Sequence, residues 1–81
     1  MKYILFLNKC WGVDFMLKRK LDNENIEYDY VSLFEEGKID RDMYLKYGIK
    51  STPTLITLDK DREADRLTSI EEIVNFLKKN V

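Results

Sequence analysis

Asn8-Lys9-Cys10-Trp11-Gly12-Val13-Asp14 holds the only cysteine in the chain and divides two hydrophobic patterns. Ahead of it, Tyr3-Ile4-Leu5-Phe6-Leu7 is apolar on both alternating faces, as a strand covered on both sides reads. Behind it, Val13, Met16, Leu17 and Leu21 recur at helical spacing, with Lys18, Arg19 and Asp22 among the polar positions between them. Cys10 therefore falls at a strand-to-helix junction. Unpaired backbone N–H groups and the positive end of the helix dipole favour a thiolate there.

Outward from this junction, a helix is expected from about Trp11 to about Leu21, ending in the turn-forming cluster Asp22-Asn23-Glu24-Asn25. Ile26 to Val31 alternates apolar and polar residues, which predicts a strand with one buried face carrying Tyr28 and Tyr30. Ser32 to Lys38 reads as a loop. Asp40 reads as the N-cap of a short helix, Arg41 to Tyr47, closed by Gly48, with Ile39 placed to staple onto Tyr44. Ser51 to Leu58 is a strand led in by Pro53, and Asp59 to Arg62 is a turn into an edge-like strand, Glu63 to Leu67. Ser69 with Glu72 forms a capping box for a last helix whose apolar face is Ile70, Ile73, Val74 and Leu77. The order β-α-β-α-β-β-α predicts a single α/β domain over residues 1–81. Its expected sheet is four-stranded and mixed, covered by three helices, the first two strands parallel and the last two an antiparallel hairpin.

Composition narrows the function. Eighty-one residues suit one domain, and a formal net charge of −1 leaves no electrostatic footprint for nucleic acid. No apolar run approaches the ~20 residues that span a bilayer, and no small-residue cleavage site follows the N-terminal apolar run. A lone cysteine forms no internal disulfide, which agrees with a reducing compartment. The expectation is a cytoplasmic monomer with neither nucleic-acid nor membrane partners. Histidine is absent, which removes the usual general base and the commonest metal ligand, so no metal site is expected. Gly12, Gly37 and Gly48 stand singly, without a phosphate-cradling loop.

Taken together, the strand leading into Cys10 at a helix start, Tyr47-Gly48-Ile49, and Pro53-Thr54-Leu55 resemble thioredoxin and the small glutaredoxins. The closing hairpin and helix from Glu63 to Val81 extend that likeness over essentially the whole chain. The resemblance implies a thioredoxin-like fold, a cis proline at Pro53 beside the thiol, and Thr52 offering its backbone to an extended substrate. Two positions depart from the family. Val13 stands where the second, resolving cysteine belongs, and Arg66-Leu67-Thr68-Ser69 stands where glutaredoxins carry the glycines and aspartates of their glutathione-carboxylate site.

The candidate chemistry is thiol–disulfide exchange with Cys10 as a single nucleophile. Lys9 would lower the thiol pKa if its ammonium reaches the sulfur, and Asp14 would oppose thiolate formation. With valine at position 13, a mixed disulfide persists until an external thiol attacks it. The expected substrate is therefore a protein or small-thiol disulfide, with no bound cofactor and glutathione as the candidate co-substrate. Trp11, Gly12, Val13, Thr52 and Pro53 are the candidate substrate contacts, although Trp11 reads equally well as a cap on the core. Two alternatives stand beside exchange: a redox-inactive protein-binding module, and a substrate-trapping variant of a dithiol oxidoreductase. A glutathione-bridged iron–sulfur carrier is disfavoured, because Trp11-Gly12-Val13 does not match the residues such proteins carry after the cysteine.

Overall fold

The computed structural model describes residues 2–8 and 12–79. Along the chain, β1 is Lys2–Phe6, α1 Gly12–Asn23, α2 Arg41–Lys46, β2 Thr54–Asp59, β3 Arg62–Leu67 and α3 Ile70–Lys79. The strands form one sheet in the order β1-β2-β3 with antiparallel neighbours, Ile4 opposite Ile56 and Ile56 opposite Arg66. Lys60 and Asp61, at φ 52 and 66, make the tight β2–β3 turn whose positive φ angles match the twist of the flanking strands.

Alternation along β1 divides the core between two faces. Leu5 and Leu7 join Leu55 on one face, beneath Leu17 and Leu21 of α1 and Ile73, Val74 and Leu77 of α3. Phe6 and Ile56 point to the other face, where Tyr44 of α2 closes over them. The Phe6 and Tyr44 rings meet edge to face at 5.0 Å. The fully apolar run from Tyr3 to Leu7 thus reflects real cover on both sides of the sheet.

The expected fourth strand is not formed, and among the described residues the sheet is antiparallel rather than mixed. From Ile26 to Val31 only Val31 pairs, in an isolated parallel bridge to Phe6: Val31 N–H donates to Leu5 O at 2.9 Å and Leu7 N–H to Val31 O at 3.0 Å. Upstream, the Asp29 N–H is directed to the Tyr3 hydroxyl at 3.4 Å rather than to a β1 carbonyl. The Tyr3 side chain interposes where a ladder would run. A cleft of about 720 Å³ opens there, lined by Tyr3, Ile26, Tyr28, Asp29 and Leu77 among others.

Local chemistry accounts for the helix ends. Asp40 Oδ1 accepts from Met43 N–H at 3.1 Å, as an N-cap does. At the other end of α2, Gly48 takes φ +58, its N–H donating to Leu45 O and that of Ile49 to Tyr44 O, a Schellman closure. Ile39 stays exposed instead of stapling onto Tyr44. Ser69 Oγ accepts from Glu72 N–H at 3.2 Å and donates to Glu72 Oε1 at 3.0 Å, so the carboxylate engages the cap's hydroxyl, not its backbone N–H. Among the described residues, no helix is long and apolar enough to cross a membrane.

Tyr44 offers a pH-dependent test of this packing. Its hydroxyl donates to Leu7 O at 2.6 Å, and burial, followed by the charge of Asp14, pushes the phenol up to about 12. An unfolded tyrosine titrates near pH ~10, so the folded state binds this proton more tightly. Its contribution to stability is full below about pH 10 and is lost as pH rises towards about 12. Urea denaturation should show stability falling across that window. Tyr44→Phe should flatten the fall and cost about 1–3 kcal/mol at neutral pH by unpairing the Leu7 carbonyl. An unchanged slope in the variant would exclude Tyr44 as its source.

Candidate functional site

The predicted site residues Lys9, Cys10 and Trp11 lie outside the described residues; the segments on either side of them are fixed by hydrogen bonding. Leu7 N–H donates to Val31 O, and Leu7 O accepts from the Tyr44 hydroxyl. Asn8 N–H donates to Asp14 Oδ2 at 2.6 Å, and Asn8 O accepts from Ser32 Oγ at 3.0 Å. Each backbone polar group of Leu7 and Asn8 therefore has a partner. Buried Ser32 also accepts from the N–H groups of Phe34 and Glu35, tying the loop after the Val31 bridge to the same point.

Beyond this anchored end of β1, α1 opens at Gly12 with φ +66. A Cβ there would touch nothing within 4 Å, so the demand for glycine is conformational rather than steric. Asp14 lies in the first turn and is only 4% exposed. Its Oδ2 accepts a second hydrogen bond, from Thr52 Oγ1 at 2.8 Å. One carboxylate oxygen thus joins the end of β1, the start of α1 and the residue before Pro53. The Thr52–Pro53 peptide bond is cis and Pro53 is buried, while Thr54 Oγ1 donates back to Ser51 O at 2.8 Å across the turn. Of the predicted site residues, the structure brings Asp14 and Thr52 into contact, with Pro53 next in the chain. Gly12 is exposed and Val13 is 52% exposed, both on the same first turn.

Two features differ from the sequence reading. Buried α1 positions are Asp14, Leu17 and Leu21, so Val13 and Met16 face solvent although the hydrophobic pattern places them inward. Lys18, one of the polar positions of the helical pattern, is largely covered: its side chain is 12% exposed, and Nζ donates to Tyr30 Oη at 3.0 Å and to Glu35 Oε2 at 3.2 Å. The Glu35 carboxyl is held below its ordinary range, first by the Tyr30 hydroxyl and, against the effect of burial, by Lys18. Burial and the bond to Glu35 raise the Tyr30 phenol. Ser32 had no sequence signal beyond its place in a loop. Among the described residues, no group of His, Cys, Asp or Glu side chains is placed to hold a metal ion.

No family model matches the chain, and no curated protein is similar to it in sequence. Solved structures do share its fold. The reduced thioredoxin pre-protein of Schistosoma mansoni matches with a TM-score of 0.63 at 19% identity, over 98% of this chain and 77% of that one. Thioredoxin 1 of Thermosipho africanus matches with a TM-score of 0.62 at 24% identity, over 99% and 93%. Thioredoxin f2 of Chlamydomonas reinhardtii matches with a TM-score of 0.58 at 13% identity, over 96% and 76%. The chain has a thioredoxin-like fold.

The Asp14 junction is testable by denaturation. Asp14→Leu leaves Asn8 N–H and the Thr52 hydroxyl unpaired and should cost about 2–4 kcal/mol. Asp14→Asn keeps an acceptor oxygen of the same shape and should recover at least half of that loss. Equal losses would mean that packing volume, not hydrogen-bond acceptance, is what position 14 supplies.

Proposed function

We propose that the chain carries out thiol–disulfide exchange through Cys10 alone. The observation that supports this most directly is the hydrogen bond from Thr52 Oγ1 to Asp14, which draws the cis-Pro53 turn against the first turn of the helix that follows Cys10. An extended substrate lying along Thr52 would pass beside that helix start. The free N–H groups and dipole of a helix N-terminus lower a thiol pKa by somewhat less than one unit.

In this reading the Cys10 thiolate attacks the sulfur of a mixed disulfide between a substrate and glutathione. The Cys10–glutathione disulfide forms as the substrate leaves as a thiolate and takes up a proton. A second glutathione thiolate then attacks the sulfur of the bound glutathione, releasing oxidised glutathione and restoring Cys10. In net, one glutathione thiol is consumed: its sulfur and the glutathionyl sulfur of the mixed disulfide leave together as oxidised glutathione, and the substrate thiol is freed. Val13 supplies no thiol to resolve a protein disulfide internally, so glutathionylated thiols suit this chain better than protein disulfides.

The exposure of Val13 favours a second reading, in which the surface binds a protein partner without redox turnover. Cys10→Ser separates the two: loss of deglutathionylation of a peptide substrate supports exchange, whereas partner capture that survives the substitution, with no turnover by the unmodified chain, supports the binding module.

Asp14 sets the expected pH profile. A buried negative charge beside the helix start opposes thiolate formation at Cys10. Asp14→Asn should therefore lower the apparent pKa for alkylation of Cys10 by roughly 0.5–1 unit, a shift of about 0.7–1.4 kcal/mol. A rise, or no change, would remove Asp14 from the electrostatics of the thiol.

A further inference from the structure

Among the described residues, a single buried side-chain nitrogen or oxygen lacks a hydrogen-bond partner: Asn8 Oδ1. It belongs to the junction of β1, α1 and the proline turn, two residues before Cys10. The donors gathered at this junction are committed elsewhere. Asn8 N–H donates to Asp14 Oδ2, and Asn8 O accepts from Ser32 Oγ. The hydroxyls of Ser32, Thr52 and Tyr44 carry one proton each, directed to Asn8 O, Asp14 Oδ2 and Leu7 O. The N–H groups of Phe34 and Glu35 go to Ser32 Oγ, and the Asp14 carboxylate only accepts. An unmet buried acceptor lowers stability, and such costs are carried chiefly where function requires the group.

We infer that Asn8 Oδ1 accepts a hydrogen bond from a main-chain amide N–H flanking the disulfide that Cys10 attacks. The inference rests on the exchange proposed for Cys10 and adds a residue that selects its substrates. Two residues of chain span at most about 7 Å, so the Asn8 side chain stays within reach of groups next to the attacked sulfur. Asn8 is half-buried, and rotation about its Cβ–Cγ bond, a broad torsion in asparagine, turns Oδ1 towards an arriving donor. No hydrogen bond of Oδ1 is broken in that turn. The chemistry of the oxygen chooses the class of donor. A neutral amide brings one proton to one acceptor, whereas an ammonium brings several, with Asp14 Oδ2 already engaged twice. Every cysteine within a peptide carries such N–H groups a few bonds from its sulfur, in a substrate protein and in glutathione alike.

The test compares the unmodified chain with Asn8→Leu, similar in shape but without an acceptor. Second-order rates of Cys10 are measured with a glutathionylated peptide, with the mixed disulfide of glutathione and methanethiol, and with dimethyl disulfide, which has no N–H. Asn8→Leu should slow the glutathionylated peptide roughly three- to tenfold, the weight of one hydrogen bond, and leave dimethyl disulfide unchanged. Slowing of the methanethiol mixed disulfide as well assigns the donor to glutathione; slowing of the peptide alone assigns it to the substrate. The apparent pKa for Cys10 alkylation should not move, and urea denaturation should show Asn8→Leu at least as stable as the unmodified chain. In the unmodified chain, N-methylating the amides that flank the disulfide should slow the glutathionylated peptide by the same factor. Equal slowing of all three disulfides, no slowing of the peptide, no effect of N-methylation, a shifted thiol pKa or a destabilised Asn8→Leu would overturn the inference. A chain that reacts with all three disulfides irrespective of Asn8 keeps the exchange reading; one that reacts with none loses both.

Discussion

Four hydrogen bonds to two consecutive residues hold together the end of the fold from which the chain leaves β1. The N–H and C=O of Leu7 and Asn8 are matched by Val31, Tyr44, Asp14 and Ser32, which come from widely separated parts of the chain. Buried backbone groups without partners cost about 1–3 kcal/mol each, so this arrangement strongly constrains where the chain leaves β1. The bridge segment at Val31 and Ser32, α1 and α2 are all tied to the same point.

Asp14 extends that constraint to a third segment. Burying a carboxylate is unfavourable unless donors surround it, and here the Asn8 N–H and the Thr52 hydroxyl converge on one oxygen. The first turn of α1 adds the positive end of its dipole. The same charge that secures Thr52 disfavours a second negative charge at the helix start. In the proposed exchange, structural order at the proline turn and an acidic Cys10 thiol therefore pull in opposite directions at this residue.

Much of this architecture was legible from residue patterns, because it rests on apolar periodicity and on short-range caps. Tyr3 to Leu7 announced a strand covered on both faces, and Asp40, Gly48 and Ser69 marked helix ends through local hydrogen bonding. Ile26 to Val31 misled for a tertiary reason. Its alternation is that of a strand, but a hydroxyl from Tyr3 takes the Asp29 N–H, and the backbone pairs only at Val31. Ser32 was invisible because a buried serine in a loop carries no periodic signal. The orientation of α1 differs from the hydrophobic pattern by one residue: hydrophobicity alone turns Val13 inward, whereas hydrogen bonding turns Asp14 inward and carries Val13 and Met16 to the surface.

That rotation links the interior of the site to its exterior. The inward stripe of α1 is Asp14, Leu17 and Leu21, polar where it meets Asn8 and Thr52 and apolar where it meets the sheet. Residues of a helix lie about 100° apart around its axis, so an inward Asp14 requires Val13 and Phe15 to flank the buried line, and Met16 to lie further out. Burying a side chain of this size is worth about 1.5–3 kcal/mol, and α1 forgoes much of that at its first turn. The helix remains in place because Leu17 and Leu21 are fully buried and Asp14 is doubly bonded. The outward Val13 and Met16 are thus the geometric counterpart of the buried carboxylate: the bond that holds the Thr52–Pro53 turn also fixes which side chains of the first turn of α1 face solvent.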